Sequence, residues 1–450
     1  MKCLLILVFL LPFVFSVNKP NGTMRLLLSQ AIWRHGDRSP IKTYNSDPYR
    51  EDSWKFGGSG WGQLSPLGMQ QHLNLGQMIR KRYVDSGFLS NYYDSHEIYV
   101  RSTDVNRTII SALSNMIGMY GQVTYNNRPG TDSPLANNTN AGAPVWPPGY
   151  VPIAVHTVDD DTDFIGNADA ICPRQDQLWG MAKSSAEVTA FVNSPDVSSL
   201  LKNLTIWCNQ SIDIDNLWVV ADSFLIEQIW QSDFLQKVPW YSDPLNNLTV
   251  VTNDQVYLYQ NGVYNQTLMM NGLDIGVELQ KIRGGSITND ILMHAYLKFD
   301  CWNSNDTSDK CTWINKLKYY VYSAHDETVY AFFTCLGIQS KAVTPHGYPK
   351  YSAATLFELW YDESKNPYFR LLYHDQDGDE FYSITEDIPE CNNQTYCELS
   401  VYARYAERVK PDQPMAQWCL VDPRTQNQAK STSANFFSTG LLLSLLFRFS

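Results

Sequence analysis

The sequence predicts an α/β fold: a mostly parallel central sheet flanked by helices, with a smaller, mainly helical domain inserted into it. Three observations carry this. Residues 24–33 form an almost unbroken apolar run, as in a strand buried on both faces. Strand-like runs pass directly into helical patterns at three junctions, each carrying charged or imidazole side chains. Between Thr157 and Tyr296 buried-strand runs are scarce and helical spacing recurs.

The first strand ends in Arg34-His35-Gly36-Asp37-Arg38-Ser39-Pro40. After a loop rich in Gly, Trp and Ser, Ser65 before Pro66 reads as an N-cap with proline at the first helical position. Leu67, Gln71, Leu75, Met78 and Ile79 continue that helix, and His72 falls on its polar side, as a surface residue would. The run Glu97–Arg101 predicts a second strand, and Ser102, Thr103 or Asp104 can cap the helix that carries Ile109, Leu113, Met116, Ile117 and Tyr120. Leu217–Trp230 is the clearest helix of the insert. The acidic run Asp159–Asp163 reads as a solvated loop rather than a calcium site. Late in the chain Lys318–Tyr322 forms a strand, Ser323-Ala324-His325-Asp326 ends it, and Glu327–Leu336 forms a helix. Leu356–Trp360 and Phe369–Tyr373 pair antiparallel around Asn366-Pro367, and His374-Asp375 reads as a turn. The expected α/β domain is therefore 17–156 with 297–424, the insert 157–296, and 425–450 a tail.

The 450 residues are 44% apolar, enough for a large core and more than one domain. A net charge of -12 excludes a nucleic-acid binder, which needs a basic footprint. Residues 1–16 read as a signal peptide cut before Val17. Its removal takes Cys3 and leaves eight cysteines, an even number that suits four disulfides in an oxidising compartment. None forms a CxxC pair, and no cluster of His and Asp resembles a metal site, so neither metal nor cofactor is expected. Sequons at Asn21, Asn137, Asn203, Asn209, Asn247, Asn265, Asn305 and Asn393 suit glycosylation. A ninth, Asn106, is expected to stay bare because its motif is read as lining the active site. Small residues Ser431, Thr432 and Ser433 precede the apolar stretch 436–447, which is too short to span a bilayer comfortably. The tail resembles a glycolipid-anchor signal; a short membrane span and an uncleaved tail stay open.

In open α/β sheets the crevice lies outside the carboxyl ends of the strands, so the three junctions can converge. Hydrolysis of a phosphate monoester needs a nucleophile, positive donors around the phosphoryl oxygens and a proton for the leaving oxygen. Arg34 and Arg38 flank His35, Arg101 stands at the second junction, and His325 with Asp326 at the third. Planar guanidiniums suit bidentate phosphate binding.

These motifs resemble one family closely. R-H-G-x-R-x-P after an N-terminal strand, R-S-T-D-V-x-R-T further on, and Y-S-A-H-D before a helix are similar to the histidine acid phosphatases, especially the prostatic and lysosomal type. The similarity extends from Met24 to Cys419 and includes Val151-Pro152-Ile153 and His156-Thr157-Val158. The resemblance implies His35 as nucleophile, Arg34, Arg38, Arg101 and His325 as phosphate ligands, Asp326 as proton donor, and a homodimer. It also implies disulfides Cys172 with Cys419 and Cys391 with Cys397. Cys208 with Cys335 and Cys301 with Cys311 remain as pairs assigned by proximity and elimination. Two positions depart from the pattern: Asn106 stands where the family has Asp, and a cysteine expected near Ala353 and Ala354 is missing. A small phosphate monoester is the expected partner. A phytase-like preference for inositol phosphates and a non-catalytic surface glycoprotein are the alternatives.

Overall fold

The structure is a computed structural model that describes Pro20, residues 22–121, 146–147, 149–304, 306–343, 347–376, 378–421 and Arg424. The segments read as signal peptide and anchor tail, and Asn21, Asn137 and Asn305, lie outside the described residues.

The strands of the main sheet are β1 (Arg25–Arg34), β2 (Ile98–Thr103), β3 (His156–Val158), β4 (Tyr319–Ala324), β5 (Ala354–Tyr361), β6 (Pro367–His374), β7 (Tyr382–Ser383) and β8 (Cys397–Glu398). The longer helices are α1 (Pro66–Ile79), α2 (Asn106–Tyr120), α3 (Pro173–Lys183), α4 (Ala186–Val192), α5 (Pro195–Trp207), α6 (Leu217–Trp230), α7 (Asp243–Gln260), α8 (Ser286–Asn303), α9 (Asp326–Leu336) and α10 (Leu399–Arg408). The sheet runs β8-β6-β5-β1-β4-β2-β3, with β7 added beside β6. The four strands from β1 to β3 are parallel, and β5 opens an antiparallel half on the other side of β1. Parallel neighbours need helical crossovers, whereas β5 and β6 are joined by a short turn as the sequence predicts.

Alternation along the strands builds a core on each face. Ala31, Trp33 and Val321 pack against Leu75, Ile79 and Met116 of α1 and α2. Leu28, Ile32 and Tyr322 pack against Ile291, Phe332 and Tyr402 of α8, α9 and α10. Burial on both faces accounts for the near-continuous apolar run of the first strand. A third cluster forms the cap, where Leu200, Leu204 and Phe224 of α5 and α6 enclose Tyr44, Tyr49 and Trp54 from the loop after β1.

Several expectations are corrected. The boundary drawn at 296 falls inside α8, whose Ile287 and Ile291 already belong to the sheet's core. The helix begins before its apolar face becomes obvious, so composition placed the edge too late. Cys172–Cys419, Cys301–Cys311 and Cys391–Cys397 are bonded, but Cys208 and Cys335 are free and buried. Cys208 sits in the cap core, while Cys335 is on α9 with its sulfur 3.6 Å from the Gln280 carbonyl, so elimination joined a cysteine of the cap with one of the sheet's helices. His72 is fully buried rather than on the surface, and its Nε2 donates to the Arg34 carbonyl at 3.0 Å. Neither Ser102, Thr103 nor Asp104 caps α2; its N-cap is Val105, without a side-chain bond.

Candidate active site

The geometry begins at the carboxyl ends of β1 and β4, which lie side by side in parallel with Arg34 opposite Ala324. The His35 amide donates to the Ala324 carbonyl at 3.0 Å, and the His35 carbonyl accepts from Ser352 at 3.0 Å. His35 is thus clamped between the third junction and the entry to β5. Gly36 donates to Ser111 Oγ of α2 at 3.1 Å. A Cβ on Gly36 would lie 2.4 Å from the Gly68 carbonyl oxygen, and one on Gly68 would lie 2.2 Å from that of Asp37. Glycine at both positions lets the first turn of α1 press directly on the His35 turn. Ser65 caps α1 by accepting from Gly68 at 3.0 Å and also donates to Asp37, whose Oδ1 accepts from Trp230 of the cap at 2.9 Å.

The tautomer of His35 follows from one bond. Its Nδ1 lies 2.8 Å from the Gly36 carbonyl, which can only accept, so Nδ1 carries the proton and Nε2 keeps its lone pair. Burial, then Arg107, Arg38 and Arg34, holds the imidazole well below the usual histidine value, so the ring is neutral. The His325 ring stands edge-on to it, with centroids 5.8 Å apart. Nε2 of His325 is 3.0 Å from Thr103 Oγ1, and its Nδ1 faces Arg107 at 3.5 Å. Burial and Arg107 push His325 down to about 3.

Three arginines surround the pair. Arg34 donates to the Pro349 carbonyl at 2.8 Å and lies 3.1 Å from Asp326. Arg38 forms a fork with both oxygens of Asp222 on α6, at 2.8 and 3.0 Å. Arg107, in the first turn of α2, has no carboxylate within bonding distance among the described residues, and burial followed by Arg38 lowers it to about 10. All three line one cavity of about 1290 Å³, together with His35, His325 and Asp326. Asp326 opens α9 beside Glu327. Burial opposes its charge, but Arg34, the Glu327 hydrogen bond and Arg38 hold it below the usual carboxylate range. Glu327 is raised by burial and by Asp326, so the proton of the pair rests on Glu327. A buried anion site beside a neutral imidazole and two carboxyls can bind a phosphoryl group, attack it and move a proton.

One expected ligand is displaced. Arg101 is ion-paired with Asp163 and lines a separate cavity of about 430 Å³ with Asp290 and Met293, away from the cavity that holds His35. Arg107 stands where Arg101 was expected. The motif carries both arginines; the strand end drew attention to the first, whereas helix geometry brings the second into the crevice. Asp163 is likewise no solvated residue: it is 1% exposed and accepts from Gly166 at 2.8 Å. Asp160 of the same run does reach the cavity, 4.0 Å from His325. Asn106 is exposed, donates to Gln63 at 3.1 Å and does not line the cavity, so the reason for excluding it as a sequon falls away. Asn203, Asn209, Asn247, Asn265 and Asn393 are exposed as well. Among the described residues no group of three or more His, Cys, Asp or Glu could hold a metal. Asp222, Glu327 and Tyr351 were not foreseen; each is a single residue whose place depends on the packed fold.

The chain is similar to known phosphatases over most of its length. "Putative acid phosphatase 10" of Caenorhabditis elegans is 33% identical over 399 residues, covering 88% of this chain and 93% of that protein. Lysosomal acid phosphatase of Rattus norvegicus is 28% identical, covering 98% and 93%. In fold, the apo phytase of Hafnia alvei superposes with a TM-score of 0.59 at 14% identity, over 90% of this chain and all of that one. The family model of the histidine phosphatase superfamily, branch 2, matches residues 25–374, and the chain belongs to that family.

Proposed function

We propose that the protein is an acid phosphatase that hydrolyses phosphate monoesters through a phosphohistidine on Nε2 of His35. The observation that carries this reading is the bond from Nδ1 of His35 to the Gly36 carbonyl, which leaves a neutral nucleophilic nitrogen in a cavity lined by Arg34, Arg38 and Arg107. The lone pair of Nε2 attacks phosphorus, the P–O bond to the alcohol breaks, and Asp326 gives its proton to the departing oxygen. Water then attacks the phosphohistidine, its proton passes to Asp326, and orthophosphate leaves with His35 restored. The empty-site carboxylate of Asp326 is ionised, so the proton arrives with substrate, as the phosphate dianion takes over the Arg34 charge. This links turnover to acidic solution.

The cavity lining carries nine carboxyl side chains against six arginines and lysines, which disfavours a substrate bearing many phosphates and supports a monoester over an inositol polyphosphate. The signal sequence, sequons and three disulfides support maturation in the secretory pathway. The tail supports attachment through a glycolipid, testable by release from cells with a phosphatidylinositol-specific phospholipase; a homodimer rests on the resemblance alone.

The deciding experiment is rapid acid or base quenching with a ³²P-labelled aryl phosphate. The wild type accumulates an adduct that is stable to base and labile to acid, and His35→Ala forms none and turns nothing over. An acid-stable, base-labile adduct, or hydrolysis that survives His35→Ala, assigns the chemistry to another nucleophile. No hydrolysis above that control identifies a binding glycoprotein.

A further inference from the structure

At the centre of the site four groups are engaged with protein partners: Arg34 with Asp326, Arg38 with Asp222, His35 with Gly36, and His325 with Thr103. Tyr351 is different. It is 5% exposed and lines the cavity, and its hydroxyl has no hydrogen-bond partner among the described residues. A buried hydroxyl left without a partner costs stability and is rare in native structures.

The placement of Tyr351 is not casual. Its ring stacks on the Arg34 guanidinium at 4.2 Å and stands 6.0 Å from the His35 ring. The next residue, Ser352, adopts φ of +59°, a conformation that side-chain-bearing residues seldom take, and donates its amide to the His35 carbonyl. Ala353 then accepts from the Arg34 amide at 3.0 Å. The backbone that presents Tyr351 is therefore fastened to the same two residues that hold the nucleophile and its neighbouring arginine. Burial, helped by Asp222 and opposed by Arg38 and Arg34, keeps the phenol well above its ordinary value, so it remains a donor across the working range.

Resting on the phosphatase reading above, we propose that Tyr351 is a catalytic residue whose hydroxyl donates a hydrogen bond to a non-bridging oxygen of the phosphoryl group held at His35. Its role is to supply a neutral donor that the arginines, partly committed to Asp326 and Asp222, do not. The phosphoryl oxygens gather charge density as the group transfers, and a fixed donor aimed at them is more effective than one recruited from solvent.

Tyr351→Phe is the discriminating variant, because it keeps the ring stacked on Arg34 and removes only the oxygen. The orphan hydroxyl contributes nothing to the empty protein, so the variant melts at the wild-type temperature or slightly above it. Its kcat/KM for 4-nitrophenyl phosphate falls about 10- to 100-fold, and competitive inhibition by inorganic phosphate and by orthovanadate weakens in parallel, vanadate the more strongly. A purely structural tyrosine gives the reverse: a lowered melting temperature with unchanged inhibitor constants. Wild type and Tyr351→Phe inhibited equally by both oxyanions would overturn the proposal and leave the phosphatase reading standing. Wild type that neither oxyanion inhibits competitively sinks the phosphatase reading itself.

Discussion

Replacing Arg107 by alanine tests the site most sharply, because the neighbouring Arg101 serves as an internal control from the same motif. Arg107 lies 3.5 Å from Nδ1 of His325, and after burial it is the leading charge that depresses both imidazoles. Two unit charges at that distance repel by about 5 kcal/mol at an effective dielectric of ~20. Arg34 and Arg38 remain in the variant, so only part of the depression is relieved, and His35 rises toward its ordinary value. The nucleophile must be neutral, so a raised value means more of it is protonated in acid. The acid limb of kcat/KM therefore moves to higher pH, while kcat/KM at its optimum falls about 10²- to 10³-fold through the lost phosphate contact. Arg101→Ala leaves both the rate and the pH profile near wild type. It instead lowers the melting temperature, because Asp163 keeps its bonds from Ile165 and Gly166 but loses its ion pair, a cost of about 1–3 kcal/mol. Initial rates with 4-nitrophenyl phosphate from pH 3 to 8 decide the matter. Equal losses in the two variants, or an unmoved acid limb in Arg107→Ala, refute the assignment.

Three further outcomes are expected. Asp326→Asn impairs alkyl phosphates about 10²- to 10⁴-fold more than nitrophenyl phosphate, whose phenolate departs without a proton; a uniform loss, measured as the ratio of the two substrates, removes Asp326 as the acid. Gly68→Ala drives a Cβ into the Asp37 carbonyl and displaces the His35 turn, costing about 100-fold in kcat while far-ultraviolet circular dichroism stays native; undiminished kcat shows the turn can yield. Thiol titration of the mature chain with Ellman's reagent gives none reactive in the native protein and two after denaturation without reductant, since burial pushes Cys208 and Cys335 up to about 12; no thiol after denaturation means they are bonded.

How much of this the sequence disclosed depends on range. Strands buried on both faces and helices with proline after a capping serine are local statements, and β1, β4, α1 and α6 lie within a residue or two of their expected limits. His35, His325 and Asp326 could be placed because parallel strands deliver their carboxyl ends to one crevice. What failed was direction. Whether Arg101 or Arg107 lines the cavity of His35 depends on where along β2 the former leaves the strand and how α2 turns the latter inward. His72 looked solvated because helical spacing cannot reveal that a backbone carbonyl of the next element waits opposite it. Asp222 and Tyr351 reach the site from 217–230 and from the entry to β5, and no local pattern marks either of them.

The fork between Arg38 and Asp222 has a consequence for how long the product stays. On the phosphatase reading, a phosphate that enters at Arg38 does not find that guanidinium vacant; it exchanges one bidentate anion for another, and the cap's carboxylate is ready to reclaim its place. Only the difference between the two pairings contributes to retention, so orthophosphate is held less tightly than three arginines in a buried cavity suggest. Tight ground-state binding of the phosphate common to ester and product does nothing for the chemical step. On that reading a resident counter-anion on the cap trades affinity for turnover.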